Sequence, residues 1–256
     1  PRPPPSPPSP TGSTHRQYSV LMDSALFAAH APSPRALPLL AARPAPQLPP
    51  PSTQADTACY ARPQYKHASL DVLRNTLQPF LHALRAAGRH PSQGFWSVPS
   101  PGTLAVFCED RVFGGDHTAY VQALARAVAP EYETIAATGM QLQVDCPDLA
   151  MGRHTRHSHL TDEEFCDVAA ANVEALNLAL RLANVPPEQV RYHVCWGNYA
   201  GPHHHDVDAA SLWPIMANVQ AKYVVLEAAN PRHNHEVVLF EKAVQCGHFR
   251  ADQVIV

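Results

Sequence analysis

No apolar run in this chain reaches the roughly 18 residues that a membrane-spanning helix needs. Nor is one sign of charge in excess. Nineteen Lys and Arg stand against 22 Asp and Glu, a formal net charge of -3, so no basic stripe argues for nucleic acid or for an anionic membrane surface. Cysteine is scarce. Six in 256 residues, irregularly spaced, are too few for a disulfide scaffold. Thiols free for metal or chemistry in a reducing compartment are the expectation, and a cytoplasmic location goes with it, organellar targeting being left open.

Proline and histidine are abundant instead, 27 and 16 of them, and they occupy different places. The first ten residues read Pro1-Arg2-Pro3-Pro4-Pro5-Ser6-Pro7-Pro8-Ser9-Pro10, and Pro44, Pro46, Pro49, Pro50 and Pro51 continue the theme. Proline fixes φ and has no amide donor, so this composition predicts an extended, disordered leader over residues 1–60. A polyproline-binding partner or an organelle transit role are the other readings. A short apolar patch from Ser19 to Ala29 reads as a turn of helix.

Residues 61–256 read as the organised domain. Leu70, Leu73, Leu77, Leu81 and Leu84 recur at helical spacing up to Gly88, with Pro79 expected to kink or restart the helix. Phe95 to Val98 reads as a strand running into a tight Pro99-Ser100-Pro101-Gly102 loop. Tyr120, Leu124, Val128, Tyr132 and Ile135 mark a second helix, and Met140 to Asp145 a strand. Thr161 and Glu164 have capping-box spacing ahead of a long helix that Pro186-Pro187 ends. Strands are expected at Arg191 to Trp196, at Tyr223-Val224-Val225-Leu226, where the unbroken apolar run suggests burial on both faces, and at Val254-Ile255-Val256. Residues 209–219 read as weakly helical and Leu239 to Val244 as a short helix. Strand and helix alternate, which predicts an α/β fold with about five parallel strands: either a smaller open sheet or a partial (β/α) barrel, whose closed form has eight.

Polar and soft residues gather where these strands end. In His193-Val194-Cys195 the two outer side chains share one side of a strand, and the next strand ends in Leu226-Glu227. Histidine, cysteine and glutamate are all zinc ligands; a buried Cys acting as a small hydrophobe is the plain alternative. Gln143 and Asp145 share a face too. Asp145 would hold a substrate ammonium group or else serve as a cap or ion-pair partner. Ser100 offers a hydroxyl and backbone groups to an anion, or marks a turn. The run His203-His204-His205 lies beside Gly201-Pro202 and reads as a loop or lid, and His154, His157 and His159 read as surface loop.

Taken together, His193-Val194-Cys195-Trp196-Gly197-Asn198, Gly201-Pro202-His203-His204-His205-Asp206 and Leu226-Glu227-Ala228-Ala229-Asn230-Pro231-Arg232-His233 resemble the catalytic domain of the cobalamin-independent methionine synthase family, in its short single-domain branch. The likeness extends upstream through Ser100-Pro101-Gly102 and Gln143-Val144-Asp145-Cys146-Pro147-Asp148-Leu149 and covers about residues 90–256. It implies a (β/α) barrel and a zinc-dependent S-methyltransferase of methionine biosynthesis. In that chemistry a methyl group passes from a methyl-folate to the thiol of homocysteine. Carried over by position, His193, Cys195 and Glu227 are zinc ligands, Asp145 lies near the substrate amino group, and Ser100 belongs to the loop that holds the substrate carboxylate. The family's further Cys ligand has no counterpart before Val256, and Cys246 precedes a strand, at the wrong end to replace it. The expectation is therefore a truncated barrel with little activity. Alkyl transfer to another thiol, as in coenzyme M chemistry, and an inactive truncated homologue are the alternatives.

Overall fold

The computed structural model describes residues 57–59, 62–65, 67–197, 205–226 and 236–255. Most of the proline-rich leader, the Ser19 to Ala29 patch, Glu227, His203 and His204 lie outside them. One strand, β1 (Thr57–Cys59), falls inside the stretch assigned to the leader and pairs in parallel with β3 (Cys108–Asp110).

The first long helix, α1 (His67–Ala86), buries Leu70, Leu73, Leu77 and Leu81 on one stripe. Pro79 lies inside it and does not break it. Pro79 and Asn75, whose carbonyl loses its amide partner, are both on the exposed side, where water can take the carbonyl. The same holds in α3 (His117–Ala136), where Pro130 leaves the carbonyl of exposed Arg126. Between these helices, Phe95–Pro99 forms β2. The segment after it, expected to be a tight loop, opens a short helix, α2 (Pro101–Phe107). Ser100 caps it by accepting the Thr103 amide, and proline at the first position is preset for helical φ.

Strand β4 (Gln141–Asp145) leads to α4 (Asp162–Leu182), whose capping box is the one Thr161 and Glu164 predict, with reciprocal bonds of 3.2 and 2.8 Å. There follow β5 (Val190–Val194), α5 (Ala209–Met216), β6 (Tyr223–Leu226), α6 (Glu236–Gln245) and β7 (Val254–Ile255). The five strands pair in the order β2-β4-β5-β6-β7, all parallel. This is an α/β fold with a parallel sheet; the described strands do not close into a barrel.

The order has a consequence for the faces. Each connection between neighbouring strands carries a helix and moves one step in the same direction. With right-handed crossovers, such winding keeps the helices on one side of the sheet. Burial along the strands agrees. Val98, Leu142, Val144, Tyr192, Val194, Val224 and Leu226 are in the core with the helices, and Tyr132 and Tyr192 anchor it by donating to Pro99 O at 2.7 Å and Met216 O at 3.0 Å. The alternate residues Ser97, Gln143, Arg191, His193, Tyr223 and Val225 are only half-buried. The run Tyr223–Leu226 is thus buried on one face, not two, because among the described residues nothing covers the other.

A buried carboxyl group stands in the helical layer. Glu131 of α3 is 3% exposed, and the Tyr65 hydroxyl hydrogen-bonds to it. Among the described residues its Oε1 has no hydrogen-bond partner. Burial pushes the carboxyl from 4.5 up to about 7, so the folded protein holds the proton more tightly than the unfolded chain. Stability from this group is full below pH 4.5 and is lost as pH rises through about 7. Glu131→Gln should therefore melt close to the parent at about pH 5 and above it at about pH 8.5. Thermal melts of both proteins across this range check it.

Candidate functional site

The carboxyl ends of β2, β4 and β5 are tied together by polar contacts that no single strand explains. The Ser100 amide donates to Asp145 O at 3.0 Å, and the Cys146 amide donates to His193 O at 2.7 Å. Thr103 Oγ1 lies 3.0 Å from the same Asp145 carbonyl. Past Asp145, the turn Pro147–Leu149 carries Asp148 into the interior, where it is 1% exposed. The hydroxyls of Ser100 and Thr103 stand 2.6 and 2.7 Å from one of its oxygens, and the Asn172 amide of α4 donates to the other at 3.0 Å. Burial raises the Asp148 pKa, and these bonds oppose the rise.

Asn172 fixes a further group. With its nitrogen spent on Asp148, its Oδ1 accepts from His117 Nε2 at 2.8 Å, which assigns the imidazole proton to Nε2. The edge of this network also holds His157, packed between the rings of His117 at 5.7 Å and Phe165 at 6.1 Å. Burial and then the neighbouring charge of His117 push its pKa from 6.5 down to about 4, so it is neutral at pH 7. His154 is bound as well, its Nδ1 2.8 Å from Asp206 Oδ1. Of the three histidines read as surface loop, only His159 is exposed. The others are held because the turns Pro147–Leu149 and Met151–His154 fold back on the helix ends.

On the open face of the sheet, register decides which expected residues meet. Asp145 pairs with His193, and Gln143 pairs with Arg191. The Gln143 amide donates to Asp145 Oδ1 at 2.9 Å. His193 is half-buried on this face, and Cys195 follows just past the strand end, also half-buried. Cys195 lies near enough to the buried Cys146 thiol to raise its pKa, after larger contributions from burial, Asp148 and Asp145. The structure thus sets Asp145 beside His193 in register at the strand ends, with Cys195 just past the end of β5. Ser100 is at the mouth these strand ends form but turned inward, its hydroxyl on Asp148 and its amide on Asp145 O. Glu227 lies outside the described residues. Cys246 is exposed just after α6, on the side where β7 begins, away from the mouth. Among the described residues no group of three or more His, Cys, Asp or Glu could hold a metal ion.

Asp148, Asn172, His117 and Arg191 are the residues that sequence reasoning did not assign. Asn172 had a signal: it falls on the stripe of α4 that also buries Phe165, Ala169, Leu176 and Leu180, where a polar side chain needs a partner. No family model, curated protein or solved structure matches the chain.

Asp148→Ala should cost about 3 kcal/mol or more, since it removes the acceptor that three buried side chains share and leaves the Asn172 amide without one. Gly102→Ala should be similarly damaging, because its Cβ would collide with the Asp148 carboxylate and the Asn172 amide. Denaturant titration of both variants tests this, with Asp116→Asn, which alters an exposed cap on α3, as the mild control.

Proposed function

We propose that the chain is a zinc-dependent thiol methyltransferase domain built on an arc of a (β/α) barrel, of the kind its motifs resemble, with homocysteine as the thiol acceptor and a methyl-folate as the donor. The observation that carries the reading is the register that sets His193 beside Asp145 at the carboxyl end of the sheet, with Cys195 two residues further along the chain. Single-direction winding supports the barrel arc. In barrels of parallel strands the inward face carries the site at the strands' carboxyl ends, and the open face has its candidate donors there.

Zinc takes three or four ligands drawn from imidazole nitrogen, thiolate and carboxylate. His193 and Cys195 fit that set. His193 is half-buried on β5, and Cys195 is half-buried just past its end. Glu227 completes the proposed set. A metal held there would supply positive charge that favours the ionised form of a thiol substrate, whose free pKa is about 8.5, near neutral pH.

The remaining roles belong to the protein's own groups. Asp145, buried and accepting the Gln143 amide, is in register with His193 and would lie beside a substrate ammonium. Ser100, Thr103 and Asn172 hold Asp148 and so keep the loops after β2 and β4 at fixed height around the mouth. That rigidity sets the alignment between nucleophile and methyl donor, on which transfer depends steeply.

Zinc content after loading and dialysis against a weak chelator tests the assignment. The chain should retain about one zinc, and His193→Ala, Cys195→Ser and Glu227→Gln should each lower metal affinity by about 10-fold or more. Exposed Cys246→Ser should leave it unchanged. Homocysteine methylation should fall in the same three variants. Equal zinc retention in all four would remove His193, Cys195 and Glu227 as ligands.

A further inference from the structure

We infer that Glu131 is a pH-sensitive latch on the segment that precedes α1: with its proton on, the carboxyl holds Tyr65 against α3, and its ionisation releases that segment. The latch is independent of the thiol chemistry proposed above.

Among the described residues little else holds the segment. Residues 62–65 form no helix or strand, Arg62 and Gln64 are exposed, and Pro63 has no amide to donate. The Arg62 guanidinium reaches the Phe113 ring at 5.7 Å, a weak contact for an exposed cation. Upstream the chain is tied by β1, three residues paired with β3. Tyr65 is the half-buried anchor, with its hydroxyl bonded to Glu131. Burial, followed by the Glu131 charge, raises the phenol's pKa, so Tyr65 keeps its proton across the neutral range.

The other half of the latch is a poor place for a charge. Glu131 is buried, and among the described residues no cation pairs with it and its Oε1 has no hydrogen-bond partner. The elements packed on α3 supply no counter-charge. The ionisable side chains of α1 and α4 face solvent, except Cys166, whose thiol reaches Ser211 O, and α2 has none. On α3 itself, Tyr132 is turned away to Pro99 O and Glu133 is exposed. Ionisation would strengthen the bond from Tyr65, but one phenol does not replace the water that a carboxylate loses on burial. Burial outweighs the Tyr65 bond in setting how tightly the proton is held. Lifting the segment lets water reach the carboxylate, so a pH above about 7 favours the released state.

Hydroxyl-radical footprinting of the full chain, read by mass spectrometry, tests the latch through the accessibility of Tyr65. In the parent Tyr65 should be oxidised about 5-fold or more faster at about pH 8.5 than at about pH 5. Tyr132, fully buried one residue from Glu131, should stay protected at both. Glu131→Gln should keep Tyr65 protected at both, and its melting temperature establishes that it folds. Carbon-13 titration of the Glu131 carboxyl in the parent needs no variant and should show a midpoint near 7. Equal oxidation of Tyr65 at the two pH values overturns the latch, and so does a pH response that survives in folded Glu131→Gln. Tyr65 and Tyr132 becoming accessible together means general unfolding and overturns a local release. A carboxyl midpoint below about 5 overturns it as well.

Discussion

A single buried carboxyl group, Asp148, sets the height of the loops around the mouth of the sheet. It is reached by Ser100 and Thr103 from the start of α2 and by Asn172 from α4, so one side chain joins two strand ends to a helix. A buried carboxylate is costly by itself, and its value depends on every donor being present. Gly102 shows how tightly the space is drawn, since no side chain at all fits there. The cap on α2, the turn after β4 and the tautomer of His117 all follow from this one group.

The sheet above that network is divided by its winding. Strands added in one direction place the helices on one face and leave polar rows on the other. The covered face is apolar and dense. The open face carries Asp145, His193 and Arg191 in adjacent register positions, which is unlike the surface of a sheet that merely meets solvent. Elsewhere, two buried titratable groups oppose each other in their response to pH. Glu131 favours the folded state at low pH, whereas His157 favours it above 6.5 and loses that contribution as pH falls through about 4.

Much of the architecture is legible in local patterns. The Leu70 to Leu81 stripe, the Thr161 and Glu164 box and the apolar strand cores all correspond to elements at nearly the expected bounds. What was not legible depends on non-local facts. Pro101 reads as a loop residue until Ser100 is seen to cap a helix. Strands β1 and β3 are three residues each, too short to show a period. The pairing of Asp145 with His193 is a matter of register between strands, which neither strand shows by itself. The burial of His154 and His157 needed the turns after β4, which fold them back.

The central claim is that His193 and Cys195 hold a metal together at this mouth. X-ray absorption at the zinc edge of the metal-loaded chain tests it most directly, because sulfur and nitrogen or oxygen neighbours differ in distance, about 2.3 against 2.0–2.2 Å. The account predicts one sulfur in the parent, none in Cys195→Ser, and one more sulfur in each when homocysteine is added. A first shell of nitrogen and oxygen alone in the parent, unchanged by homocysteine, would contradict it.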